Sequence, residues 1–300
     1  MKKLPDNQKK QYLQKQYLRL VENIAKRTLK ETALDKDDIQ KLIKNENKFR
    51  THIIAGIKDI LMSHQFTNNE EVKSSYTYPE DYKVKSISEQ IKILRQLFPG
   101  IGSVDKKLAK QPLHLGAEGW FAIPRWEKIA PTYNEAVQKV LDLIKRDRNG
   151  RFINYRENQL GPQYLRQSQK SIKAFKELGN KQKNCDILVV PAQFGLLHRG
   201  QSVHLARDAF MANEFGLGVF AIGIMLLTHP EREVRQEQLH IDCAGDEFSL
   251  NADNIFSDVP FFTDMPFFTF DDRFDFLSLD AIRYNYADEY SGSASAFLSR

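Results

Sequence analysis

Eleven consecutive uncharged residues, Leu217 to Leu227, constrain the fold of this chain more than any other segment. A helix needs about 20 apolar residues to cross a bilayer, so the run is too short to span one. Its flanks are polar and it contains Gly218 and Gly223. The expectation is a fully buried strand. The rest of the chain can cover it. Of 300 residues, 41% are hydrophobic and 11% aromatic, which excludes global disorder.

Two cysteines, Cys185 and Cys243, are too few for a disulfide framework and read as thiols of a reducing compartment. Met1-Lys2-Lys3 looks like a signal-peptide n-region, but Asp6 to Gln16 is polar where an apolar stretch should follow. The expectation is a cytoplasmic protein without a membrane segment.

Charge is strongly polarised. Residues 1–30 hold nine Lys/Arg against Asp6 and Glu22, a net of +7. Residues 241–300 hold twelve Asp/Glu against Arg273, Arg283 and Arg300, a net of −9. With the whole chain at +5, residues 1–240 carry +14. A basic segment attracts polyanions by counterion release. Equally, the two ends can neutralise each other within the fold.

The first 65 residues read as three helices. Leu13, Tyr17, Leu20, Val21, Ile24 and Thr28 form one stripe; a second helix follows caps at Asp35–Asp38, with a break at Asn45-Glu46-Asn47; a third carries Phe49, Ile53, Ile57, Ile60 and Leu61. Such a trio resembles small DNA-binding units and generic bundles alike. A polar stretch, Thr67 to Lys85, leads into the remainder. Helices are expected at Ser88–Phe98, Tyr133–Lys145, Gln163–Leu178 and Val203–Ala212. Strands are expected at Gly119–Ile123, Asp186–Val190, Leu217–Leu227 and Leu239–Cys243, the later ones as a β-α-β unit. Phe267–Phe270 and Phe274–Leu277 read as an antiparallel hairpin, and Ser291–Ser295 as a flexible stretch. The fold class is therefore α+β. A basic helical segment, 1–77, precedes a mixed α/β core, 78–300, whose C-terminal part is acidic, Phe-rich and ends with an antiparallel hairpin.

The segments Gly119–Trp126, Asp186–Gly195 with His198-Arg199-Gly200, and Asp242–Glu247 resemble those of an uncharacterised family of bacterial hypothetical proteins from small-genome lineages. The resemblance covers about residues 78–300 and implies no activity, fold or cofactor.

Four constellations could carry chemistry or binding. His198, Arg199 and Arg207 surround a helix start capped by Ser202, where free N–H groups favour an anion. His229 and Glu231, with His240 and the acidic group Asp242, Asp246 and Glu247, could form an acid–base pair or hold a divalent metal if their strands are neighbours. Cys243, near His240 and Glu247, could be a nucleophile. Trp120, Phe121 and Trp126 flank Arg125, a mixture that can stack bases or simply be buried. No motif specifies a cofactor.

The leading expectation is a nucleic-acid-binding protein, with Lys9, Lys10, Lys15, Arg19, Lys26 and Arg27 on phosphates. The alternatives are an enzyme acting on an anionic or phosphorylated substrate, with or without a metal, and an interaction module whose acidic C-terminal part binds a protein partner.

Overall fold

The computed structural model describes residues 36, 40–41, 44–45, 70–233, 235–250 and 262–298. The chain divides into two compact units, Met1–Leu61 and Met62–Arg300. In the first, residues 36, 40, 41 and 44 are helical and Asn45 is a turn, within the span expected for the second helix. The other helical residues expected there, and Lys9, Lys10, Lys15, Arg19, Lys26 and Arg27, lie outside the described residues. Residues 70–77, assigned from sequence to the helical segment, instead belong to the second unit. The Val72 N–H donates to the Gly200 carbonyl at 2.8 Å, and Thr77 bridges to Gln238.

The second unit is α+β, with two sheets. Helix α1, Ile87–Leu97, buries Ile87, Gln90, Ile91 and Leu94, a spacing that keeps one face inward. Ser86 and Glu89 close its N-terminus as a reciprocal capping box. Thr132 and Glu135 do the same for α2, Tyr133–Asp147, which buries Ala136, Val137, Val140, Leu141 and Ile144. Helix α3, Gln169–Lys181, is shorter than expected. Leu165–Gln167 forms strand β3, and Ser168 caps the helix by accepting from the Ser171 N–H. Gly179, one residue past the expected helix end, lies inside α3.

Strands β1 (Gly119–Pro124), β4 (Ile187–Gln193), β11 (Ser295–Phe297) and β5 (Glu214–Gly216) form a four-stranded sheet in the order β1-β4-β11-β5. Both neighbours of β4 are antiparallel to it, so the expected β-α-β pairing does not form. Side-chain amides complete the backbone pairing where strands run out. Gln90, fully buried, donates to the Trp120 carbonyl at 2.9 Å and accepts from the Ala122 N–H at 2.8 Å. Gln182 does the same for Val189 at 3.0 and 2.9 Å. A buried peptide group left unpaired is costly, and each glutamine mimics one residue of a missing strand.

The second sheet runs β10-β6-β8-β7-β3, from Ser291–Ser293, His240–Asp242, Asp264–Asp271, Asp246–Phe248 and Leu165–Gln167. Strand β9, Phe276–Arg283, joins β8 as the expected hairpin, and β2, Phe152–Asn154, adds to β9. Ser291–Ser295, expected to be flexible, is buried: β10 and β11 are consecutive, and Ala294 carries the chain from one sheet to the other. Only small residues fit this crossing. A Cβ on Gly195, whose φ is 131°, would sit 2.5 Å from the Gly292 carbonyl oxygen.

The apolar run is a helix, not a strand. Helix α5 (Val219–Thr228) is buried at all ten positions and packs on α2 and β1. Total burial erases the periodicity that separates helix from strand. Gly223 lets α2 approach: a Cβ there would lie 2.5 Å from Val140 Cγ1. Gly223→Val is therefore expected to lower stability by about 1–3 kcal/mol through overpacking, read by urea denaturation; an unchanged midpoint would contradict this packing. Helix α4, Val203–Ala209, is capped by Ser202.

Candidate functional site

The sequence-predicted polar residues fall at separate places. His198 is buried, with Nε2 2.7 Å from Glu214 Oε1 and Nδ1 3.3 Å from Gln201 Oε1. Arg199 donates to the Tyr76 carbonyl at 3.0 Å. Arg207 donates to the carbonyls of Ala244 and Asp246 at 2.9 and 2.7 Å. Each of the three is thus engaged with a different protein partner, His198 and Arg199 before α4 and Arg207 in its last turn.

His229 is the C-cap of α5. Its Nε2 accepts from the Lys85 N–H at 2.9 Å, and Nδ1 lies 3.1 Å from the Met225 carbonyl oxygen. Burial pushes its pKa down to about 4. Glu231 pairs with Lys85. Asp246 is fully buried on the far side of α5. It accepts from the Val219 N–H at 2.8 Å and from the Tyr133 hydroxyl at 2.9 and 2.8 Å, and burial raises its pKa to about 7. Glu247 pairs with Arg166 at 2.7 Å. His240 contacts Thr269 Oγ1 within 3.1 Å, and burial lowers its pKa to about 4. The strand adjacency on which a joint site depends is absent, because Leu217–Leu227 is not a strand. Among the described residues no group of three or more His, Cys, Asp or Glu could hold a metal ion. The Cys243 thiol is buried and pushed up in pKa, opposite to an activated nucleophile.

Asp242 joins a buried polar cluster that the sequence did not reveal. Arg232 is fully buried beside Glu233; its Nη2 donates to the Leu239 carbonyl at 2.9 Å, and its Cζ lies 3.8 Å above the Tyr78 ring. Tyr78 donates to Glu118 and accepts from the Leu196 N–H at 3.0 Å. Burial raises Glu118 to about 7 and Glu233 to about 8, and holds Asp242 well above the carboxylate range. Arg232 Nε and Nη1, both Glu233 oxygens, Asp242 Oδ1, Ser293 Oγ and Tyr82 Oη have no hydrogen-bond partner among the described residues.

The open sites lie elsewhere, on the basic side. Residues 82–183 hold twenty-one Lys/Arg against nine Asp/Glu, a net of +12 that outweighs the +7 of residues 1–30. This signal was present in the sequence and is masked there by taking charge over residues 1–240 as one block. Two of the clefts in this region are lined by several basic side chains. One, of about 600 Å³, is lined by Lys85, Lys106, Lys107 and Lys110 with Ser86, Ser88, Glu118 and the half-buried Trp120. The other, of about 590 Å³, lies between the turn after β1, the starts of α2 and α5, strand β3 and one face of α3. Trp126, Tyr133, Phe175 and Phe220 line it, with Arg125, Arg166, Lys176 and Glu127.

No protein-family model, curated protein or solved structure matches the chain. Arg125, between the two tryptophans, is a structural group: its guanidinium donates to the carbonyls of Cys185, Gly179 and Gln182 at 2.7, 2.7 and 2.9 Å and closes the end of α3. Phe121 is buried, and Trp120 and Trp126 serve different clefts. Within the acidic end, Asp275, Asp280 and Glu247 pair with Arg151, Arg156 and Arg166. Part of that negative charge is thus neutralised within the second unit, by ion pairs that remain partly or largely exposed. Among the described residues no helix is long and apolar enough to cross a membrane.

Proposed function

We propose that the protein binds single-stranded nucleic acid through the basic side of its core. The observation that carries this reading is the groove in which Lys85, Lys106, Lys107 and Lys110 surround the half-buried Trp120. Lysines that track a phosphate backbone beside an aromatic face are the two parts of sequence-tolerant single-strand binding. Lys85 is paired with Glu231, which leaves Lys107, Lys110 and Lys106, whose Nζ makes only a 3.4 Å contact with the Ser88 hydroxyl, as the principal phosphate contacts. The net charge of +12 over residues 82–183 adds long-range attraction. Lys9, Lys10, Lys15, Arg19, Lys26 and Arg27 extend the same attraction from the front of the chain. An enzyme built on His229, Glu231, Asp242, Asp246 and Glu247 has less support, because these groups do not share a site.

A salt titration tests the reading. The full chain and its Lys106→Ala/Lys107→Ala/Lys110→Ala variant are titrated with fluorescent oligonucleotides. Each lost phosphate contact removes about 0.7 from the log–log salt slope on a single strand, so the triple variant is expected to lose about 2. An unchanged slope and affinity, with the variant folded, sinks the groove. A matching variant in Lys9, Lys10 and Lys15 measures the share of the front segment.

A further inference from the structure

We infer that the cleft between α3 and the start of α5 is a separate binding site for a small aromatic anion, a flat ring that carries one negative group. It shares no lining residue with the lysine groove, and it does not depend on nucleic-acid binding. At about 590 Å³ it has the size of small-molecule sites, roughly 300–1,000 Å³. The wall is aromatic and continuous. Trp126 meets Tyr133 edge-on at 6.2 Å between centroids, and Tyr133 meets Phe220 at 6.4 Å. Helix α3 contributes Phe175, whose ring is held edge-on by Phe215 at 5.3 Å.

This wall is built before any ligand arrives. The Tyr133 hydroxyl is held by Asp246, whose other contact is the first N–H of α5, so one buried carboxyl locks α2 and α5 in register behind the cleft. A ring entering such a site meets surfaces already ordered, which lowers the entropic cost of binding. Along the lining three cations, Arg125, Arg166 and Lys176, stand against Glu127, a balance that favours an anion. Arg125 is committed to α3, and Arg166 to Glu247, over the Phe262 ring at 3.7 Å. Lys176, exposed on α3 one residue from Phe175, is the cation placed to meet a ligand. Among the described residues Glu127 is the one carboxylate that lines the cleft. The ring is taken by the aromatic wall and the negative group by Lys176.

Two chemical sources fit, a nucleoside monophosphate and an aryl carboxylate, and titration calorimetry on the full chain separates them. The probes are adenosine 5′-monophosphate and indole-3-acetate. Adenosine lacks the anion and inorganic phosphate lacks the ring. At least one complete probe is expected to bind about tenfold or more tighter than either half. Lys176→Ala and Phe175→Ala should each weaken it by about tenfold. The Lys106/Lys107/Lys110 variant should leave it unchanged. Equal binding of adenosine or of phosphate overturns the inference, as does unaltered affinity in Lys176→Ala. So does failure of both probes with a folded protein. Probe binding lost in the groove variant but kept in Lys176→Ala overturns this site and leaves the groove reading standing; the reverse pattern supports this site, and the groove reading is then decided by the salt titration alone.

Discussion

Arg232→Ala is expected to cost about 3–5 kcal/mol of folding free energy, the range for removing one partner from a buried charged cluster. Arg232 is fully buried, stacked on Tyr78, and bonded to the Leu239 carbonyl. Truncation leaves that carbonyl unpaired, opens a cavity beside the ring, and removes a cation that holds down the pKa of Glu118 and Glu233. Arg232→Met keeps most of the volume. At pH 6 the two carboxyls can hold their protons, so methionine should lose much less than alanine. At pH 8 both variants should lose more, because without their cation the two carboxyls hold protons that the unfolded chain has released, while the gap between methionine and alanine persists. Urea denaturation of both variants at the two pH values checks this. Equal losses at pH 6 would show that packing on Tyr78 contributes little.

Stability should also decline as pH rises from 6.5 to 8. Glu118 titrates at about 7, Asp246 at about 7 and Glu233 at about 8 in the folded chain, above ordinary values of 4.5, 3.8 and 4.5. A raised carboxyl pKa means that the folded state holds protons the unfolded chain has already released. Stability is then lost as pH climbs through the folded pKa. His229 and His240 act in the opposite sense. Their pKa of about 4, against 6.5, makes stability fall as pH drops from 6.5 towards 4. Below 6.5 the two groups of residues partly cancel; above it only the carboxyls act. The three together account for about 2–3 kcal/mol across the upper window. Glu233→Gln, which removes the highest of them, should flatten the slope by roughly half. A flat profile in the parent protein would rule out ionisation of these buried carboxyls.

Much of the local structure was legible. Helices α1 and α2, strands β1, β4 and β6, and the β8–β9 hairpin lie where periodicity and turn residues put them. The failures share a cause. Leu217–Leu227 has no polar face, so its sequence cannot say whether it turns every 3.6 residues or every two. Ser291–Ser295 has the composition of a mobile tail, yet it is small because two sheets cross there and Gly195 meets Gly292. For the candidate site residues the local pattern was equally silent: His198 is engaged by Glu214, His229 by Lys85 and Asp246 by Tyr133, contacts that only the tertiary structure makes.

What the residue order settles alone is short in range. A capping box needs two residues three apart, and an amphipathic stripe needs one helix face, so α1 and α2 could be read directly. The charge layout is also a property of composition, and the +12 of residues 82–183 is available without coordinates. Tertiary structure decided which charges remain open to a partner. Arg125 and Arg232 look no different from Lys106 or Lys176 in a sequence, but the first two are bound to carbonyls of the fold and the latter two line clefts. The basic front segment, the first signal in the chain, is therefore joined by a basic core whose open cations can be recognised only after the buried ones have found their partners. A side chain's availability depends on contacts between residues about a hundred positions apart, as between Tyr133 and Asp246, and no local pattern encodes these.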